Sequence, residues 1–199
     1  MKRLFLILAV GLLSLSDLFG QNIKLAEAAW SIIDDRIKYD ASYVVIPYPN
    51  GDINPEKGVC TDLVIRAYRK IGIDLQKEVH EDMLANFSKY PQRWKRTEPD
   101  PNIDHRRVLN LMTFFKRNGT VLPITDNPKD YKPGDIVCWE LTQGIYHIGI
   151  VSNVCLPDAE GKPTESLLIV HQIGFGQIPE DVLFYWKIIG HYRYLADKK

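Results

Sequence analysis

The chain is short of several things that would have named a function class at once. Its 199 residues carry no formal net charge, with 25 Lys and Arg against 25 Asp and Glu. No long basic run interrupts that balance, so the electrostatic footprint of a nucleic-acid binder is missing and no nucleic acid is expected as a partner. There is no internal repeat and no low-complexity tract, which excludes solenoids and biased linkers. Metal-ligand spacings such as Cys-x-x-Cys or His-x-x-x-His are lacking. His147, His171 and either Asp62 or His105 are the residues that would have to converge on a zinc ion, and neither metal nor cofactor is expected. Cysteine is scarce, at three residues: Cys60, Cys138 and Cys155.

Only one stretch is strongly apolar, LFLILAVGLL at 4–13. It falls short of the ~20 residues that span a bilayer. Lys2 and Arg3 precede it and SLSDLFGQ (14–21) follows, an order that predicts an export signal over 1–20 and a mature domain over 21–199. Cleavage is placed after Gly20, although Leu18 at the −3 position is not small; a retained N-terminal anchor is the alternative. No cysteine follows to take a lipid, so no stable membrane span or anchor is expected after cleavage. The expected location is secreted, or periplasmic in a Gram-negative source. An oxidising compartment favours disulfides, and three cysteines leave at least one thiol over. A hairpin turn near Gly144 sets Cys138 opposite about Ile150, away from Cys155, so no disulfide is expected and Cys60 is the thiol expected to stay free.

With 45% hydrophobic and 25% charged residues, the chain suits one globular domain with a full core, expected as a monomer. Residues 25–37 have apolar positions at helical spacing. The Pro-, Gly- and Asn-rich stretch 43–58 reads as a long loop. A helix over 61–71 presents Leu63, Val64, Ala67, Tyr68 and Ile71 as its apolar stripe and is stopped by Gly72. Two further helices are predicted over 80–90 and 105–119. A turn and then a strand follow within 131–141, and further strands at 147–154 and 166–173, with one or two more in 183–195. Helices first and antiparallel strands afterwards is the pattern of an α+β fold.

Cys60 stands where a loop becomes a helix. The unpaired N–H groups and the positive end of the helix dipole favour a thiolate there, so a depressed pKa is expected. The same N–H groups suit a developing oxyanion. A thiol needs a base, and the base an orienting partner. His147 opens one strand, with Gly149 on the same face and leaving room beside it. His171 lies near the end of the next strand. Direct pairing of the two requires a register shift in the connection between their strands. Each residue alone has an ordinary structural reading. Together, an exported chain, an odd thiol at a helix start and two strand histidines point to a Cys–His site.

Those residues also carry a resemblance. PYPNGD with GVCTDLVIRAYRKIGI, then YKPGDIVCWEL with YHIGIVSN, resembles the secreted NlpC-type cell-wall peptidases, which have a papain-like core. Pro47, Tyr48 and Gly51 match that pattern before the nucleophile; Cys60, Tyr68, Gly72 and Ile73 match its helix. Lys132, Pro133, Gly134, Asp135, Trp139, His147, Gly149 and Ile150 match its strands. The stretches GVCTD (58–62), HEDM (80–83), DHRR (104–107) and NLMTFF (110–115) are similar to those of a bacterial branch, the domain-of-unknown-function family 1287. The resemblance implies a papain-like α+β fold and amide hydrolysis of peptidoglycan or its peptide fragments. It assigns Cys60 as nucleophile, His147 as base and His171 as the residue that orients His147, and it places Tyr48 along the site.

One departure stands out. The peptidases have Asp-Cys-Ser-Gly where this chain has Val59-Cys60-Thr61-Asp62, so the acid has moved into the first helical turn. Asp62 is either a helix-end charge or a substrate contact. Arg106 and Arg107 of DHRR either join local salt bridges beside a helix cap at Asp104, or pair with a substrate carboxylate. His80, Glu81 and Asp82 read as a helix start, and His191 as structural. Three functions fit: a cysteine hydrolase, a non-catalytic cell-wall binding module of the same fold, and a cysteine acyltransferase.

Overall fold

A computed structural model of the chain describes residues 15–195, with side chains described from residue 22. Of the expected signal over 1–20, residues 1–14 lie outside the described residues. Four α-helices, α1 (Leu15–Trp30), α2 (Cys60–Lys70), α3 (Leu75–Asn86) and α4 (Val108–Asn118), precede most of the sheet. The strands are β1 (Lys38–Tyr39), β2 (Lys57–Gly58), β3 (Thr120–Val121), β4 (Ile136–Thr142), β5 (Ile145–Pro157), β6 (Pro163–Gln172), β7 (Gln177–Glu180) and β8 (Lys187–Arg193). Strands β3 to β8 form one antiparallel sheet in the order β3-β8-β4-β5-β6-β7, and β1 and β2 form a small parallel pair. The fold is mixed α+β.

Both faces of the sheet are covered, which is why DIVCWEL shows no polar alternation. Ile136, Cys138, Ile148, Ile150 and Val170 point to the helices, where they pack with Leu63, Val64, Ala67 and Phe115. Their neighbours Val137, Trp139, Val151 and Ile169 point the other way and pack with Tyr131 and Leu183. Period-two alternation separates the two clusters along β4, β5 and β6. The fully buried Trp139 donates its indole N–H to Leu183 O at 2.9 Å, so its burial leaves no donor unpaired.

Helix α2 ends as its sequence directs. Gly72 has φ +87°, a conformation that side chains resist. Its N–H donates to Arg69 O and that of Ile73 to Tyr68 O, both at 3.0 Å, the paired bonds of a Schellman cap. Other boundaries differ from expectation. Helix α1 covers Leu15–Trp30 instead of 25–37; beyond Ser31 the backbone of Asp34 turns to pair with Gln177. It runs across the expected cleavage position after Gly20. Helix α3 begins at Leu75, not at His80, because the Asp74 side chain accepts the Gln76 N–H at 3.1 Å as its cap. The start of α4 moves from 105 to Val108, since Asp104–Arg106 form a separate 3-10 turn. Strand β7 was not foreseen.

Candidate active site

Cys60 is the first residue of α2, and Val59 before it is extended. The backbone N–H groups of Ile148, Thr61 and Cys60 itself favour its thiolate, the last two being the unpaired donors of the helix start. Ile148 is the residue after His147, so the sulfur lies against the strand that carries the histidine. The expected low pKa is overturned. Burial outweighs these donors and pushes the thiol up to about 12, and only 5% of the residue is exposed. No hydrogen bond joins Cys60 to His147 in this structure; the two meet through the Ile148 backbone.

His147 and His171 are joined directly, Nε2 of the first to Nδ1 of the second at 2.8 Å. The register explains how. Cys155 faces Leu167, and an unbroken ladder would set Val151 opposite His171. An irregularity between Cys155 and Val151 puts Val151 opposite Ile169 instead, which draws His171 one pair closer to His147. Gly149 lies between them, and a Cβ there would come 2.6 Å from Ile169 Cγ2 and 3.2 Å from His171 Cβ. Burial lowers both imidazoles, His147 to about 3. Their outer walls are aromatic: Trp186 stands edge-on to His147 at 5.7 Å and to His171 at 6.1 Å, and Trp139 lies 5.8 Å from His147. On the far side, Glu180 Oε2 of β7 is 2.8 Å from His171 Nε2. That contact is close but out of line for a hydrogen bond, and no other group satisfies this nitrogen. The arrangement has the parts of a nucleophile–base–orienter site. Among the described residues no group of three or more His, Cys, Asp or Glu could hold a metal ion, and no helix is long and apolar enough to cross a membrane.

Residues 26–194 match the family model described as "Domain of unknown function (DUF1287)". The chain belongs to this family. It is 51% identical over 175 residues to the "Uncharacterized protein YijF" of Escherichia coli (strain K12), a match that covers 88% of this chain and 82% of that one. No solved structure matches the chain.

Of the substrate candidates of the DUF1287 chain, Asp62 and Arg106 stand at the Cys60 helix start but are taken up by each other. Arg106 sets Nε and Nη2 on the two carboxylate oxygens of Asp62 at 2.8 and 3.1 Å, and Asp62 Oδ2 also accepts the Val59 N–H at 2.7 Å. The same arginine donates to Ser42 O at 3.0 Å and to Asp40 O at 3.3 Å. Both side chains are within 3% of complete burial, so the shifted acid fastens the helix start that carries Cys60, and its guanidinium partner is filled by the protein itself. Arg107 stacks over Trp94 at 4.1 Å. Asp104 does not cap α4: it accepts the Asp100 N–H and lies 3.5 Å from His80. Tyr48 stands edge-on to His80 of α3. Its loop is tied by Gly51 O to Arg69, in the last turn of α2 and about two and a half turns from Cys60. His191 and Arg193 hold Asp135 of the Lys-Pro-Gly-Asp turn, at 3.0 and 2.8 Å, a structural network.

Sequence reasoning missed Glu180, Trp186 and Tyr39. Tyr39 pairs in register with Gly58, and burial, then the charges of Cys60 and Asp62, raise its hydroxyl pKa. Alternation within GQIPED gave a signal for a short strand, but Pro179 masked it.

Proposed function

We propose that this chain is an exported cysteine hydrolase with a papain-like, NlpC-type core, which cleaves an amide bond in peptidoglycan stem peptides. The observation that carries the reading is the 2.8 Å His147–His171 contact on the strand whose Ile148 N–H meets the Cys60 thiol at a helix start. The amide class and the peptidoglycan substrate rest on the resemblance of the Pro-Tyr, Cys-helix, Lys-Pro-Gly-Asp and His-x-Gly-Ile segments to those peptidases.

The resting pair is neutral, because burial raises the thiol and lowers the imidazole. Proton transfer therefore accompanies attack. As the Cys60 sulfur bonds to the carbonyl carbon, its proton passes to His147. The N–H groups of the α2 start face the developing oxyanion. The C–N bond breaks, the amine leaves with the proton from His147, and a thioester remains. Water, giving a proton to His147, attacks the thioester; the carboxylic acid departs and Cys60 recovers its proton. His171 keeps the His147 ring in place throughout.

The burial of Cys60 favours a second reading, a binding module of the same fold without turnover. Digestion of purified peptidoglycan sacculi separates the two. Release of peptide fragments by wild type, lost in Cys60→Ala and in His147→Ala, is the expected result. Sacculi left intact by wild type while still binding it would overturn the hydrolase and establish the module.

A further inference from the structure

We infer that Glu180 is a positioning residue that sets the tautomers of His171 and His147 and so leaves His147 Nδ1 as the lone pair that serves as base. The inference rests on the hydrolase reading for what that lone pair does, but its geometry is independent of any substrate. Strand β7 pairs with β6 so that Ile178 faces His171 and Glu180 faces Ile169. Directly opposed residues share a face, and Ile169 shares its face with His171. Glu180 is thereby set on the histidine side of the sheet.

An ionised carboxylate only accepts hydrogen. With Oε2 at 2.8 Å, it favours a proton on His171 Nε2, and the misalignment of that contact leaves charge as its main effect. A neutral imidazole has one N–H, so His171 Nδ1 must accept. That nitrogen is 2.8 Å from His147 Nε2, which must then donate. His147 Nδ1 is left unprotonated, and it makes no hydrogen bond among the described residues. Without Glu180 the reverse chain, Nδ1–H of His171 into Nε2 of His147, satisfies the same contact equally well. It places the proton on His147 Nδ1, where no thiol proton can be taken. Burial keeps both rings neutral, which is the condition under which a tautomer choice exists.

The test reads the tautomers directly, by long-range 1H–15N NMR of the histidine rings in 15N-labelled full chain. Wild type is expected to show Nε2–H on both rings. Glu180→Ala is expected to give a mixture, and Glu180→Lys, which can only donate, to move both protons to Nδ1. Glu180→Asp is expected to restore the wild-type pattern in part. In parallel, iodoacetamide labelling of Cys60 should fall about 100-fold in Glu180→Lys, within the range that a positioned base contributes. Because Glu180 is 40% exposed, these variants are expected to fold, and far-UV circular dichroism checks that they do. Unchanged tautomers in Glu180→Lys, with labelling still dependent on His147, overturn the role of Glu180 and leave the hydrolase standing. Labelling indifferent to His147→Ala overturns the hydrolase, while the ring spectra still decide whether Glu180 sets the tautomers.

Discussion

Replacing the buried Arg106 by alanine should cost the protein far more stability than breaking an exposed ion pair. The guanidinium makes two bonds to Asp62, at 2.8 and 3.1 Å, and two to backbone carbonyls. Its removal leaves the Asp62 carboxylate, 3% exposed, with no opposite charge. Breaking such a buried pair from one side costs about 3–5 kcal/mol. For a domain of this size each kcal/mol lowers Tm by about 2–4 °C, so a fall of roughly 6–20 °C is expected. Replacing both partners, Asp62→Asn with Arg106→Met, removes the charges together and keeps an oxygen for the Val59 N–H. It should recover most of the loss, for the same reason that apolar replacement of a whole buried pair is often tolerated. Urea unfolding followed by far-UV circular dichroism measures wild type, Arg106→Ala and the double variant, provided m stays constant. A loss below about 1 kcal/mol in Arg106→Ala, the range of an exposed pair, would refute the structural assignment. A substrate-binding Arg106 would instead leave stability unchanged and raise KM.

Three other outcomes follow from the site and its surroundings. The Cys60 pKa rises from 9.0 to about 12 on burial, so its contribution to stability is complete below pH 9 and is lost as pH climbs towards 12; Cys60→Ala should flatten the alkaline fall in unfolding free energy, measured by urea titration, by up to about 4 kcal/mol. Burial first, then Arg106 and Arg69, lower His105 from 6.5 to about 3. Its neutral form therefore stabilises the fold above pH 6.5 and that term fades as pH falls towards 3, so His105→Gln should remove about 2–3 kcal/mol of the loss between pH 7 and 4.5, read from thermal melts. Gly149→Ala should destabilise by about 1–3 kcal/mol through overpacking against Ile169 and slow iodoacetamide labelling of Cys60 by displacing His171; a variant with wild-type midpoint and labelling would contradict the close packing of β5 on β6.

Much of the scaffold was written locally. The apolar stripe of α2, its stop at Gly72 and the strands around His147 and His171 depend on residues a few positions apart, so period and cap chemistry determine them. The cysteine at the helix start and the two histidines on neighbouring strands belong to that legible part. What lay beyond the sequence depended on groups distant along the chain. Burial of Cys60 follows from the packing of α2 on the sheet, and it reverses the pKa direction that the helix end alone implies. The ion pair that claims Asp62 and Arg106 spans 44 positions, so no local pattern distinguishes it from a substrate contact. His147 meets His171 because a ladder irregularity shifts one strand against the next, and Glu180 joins them because β7 adds itself to the sheet edge. Residue type set which chemistry was available; register and burial, which sum over the whole fold, decided which of those groups touch and in what protonation state.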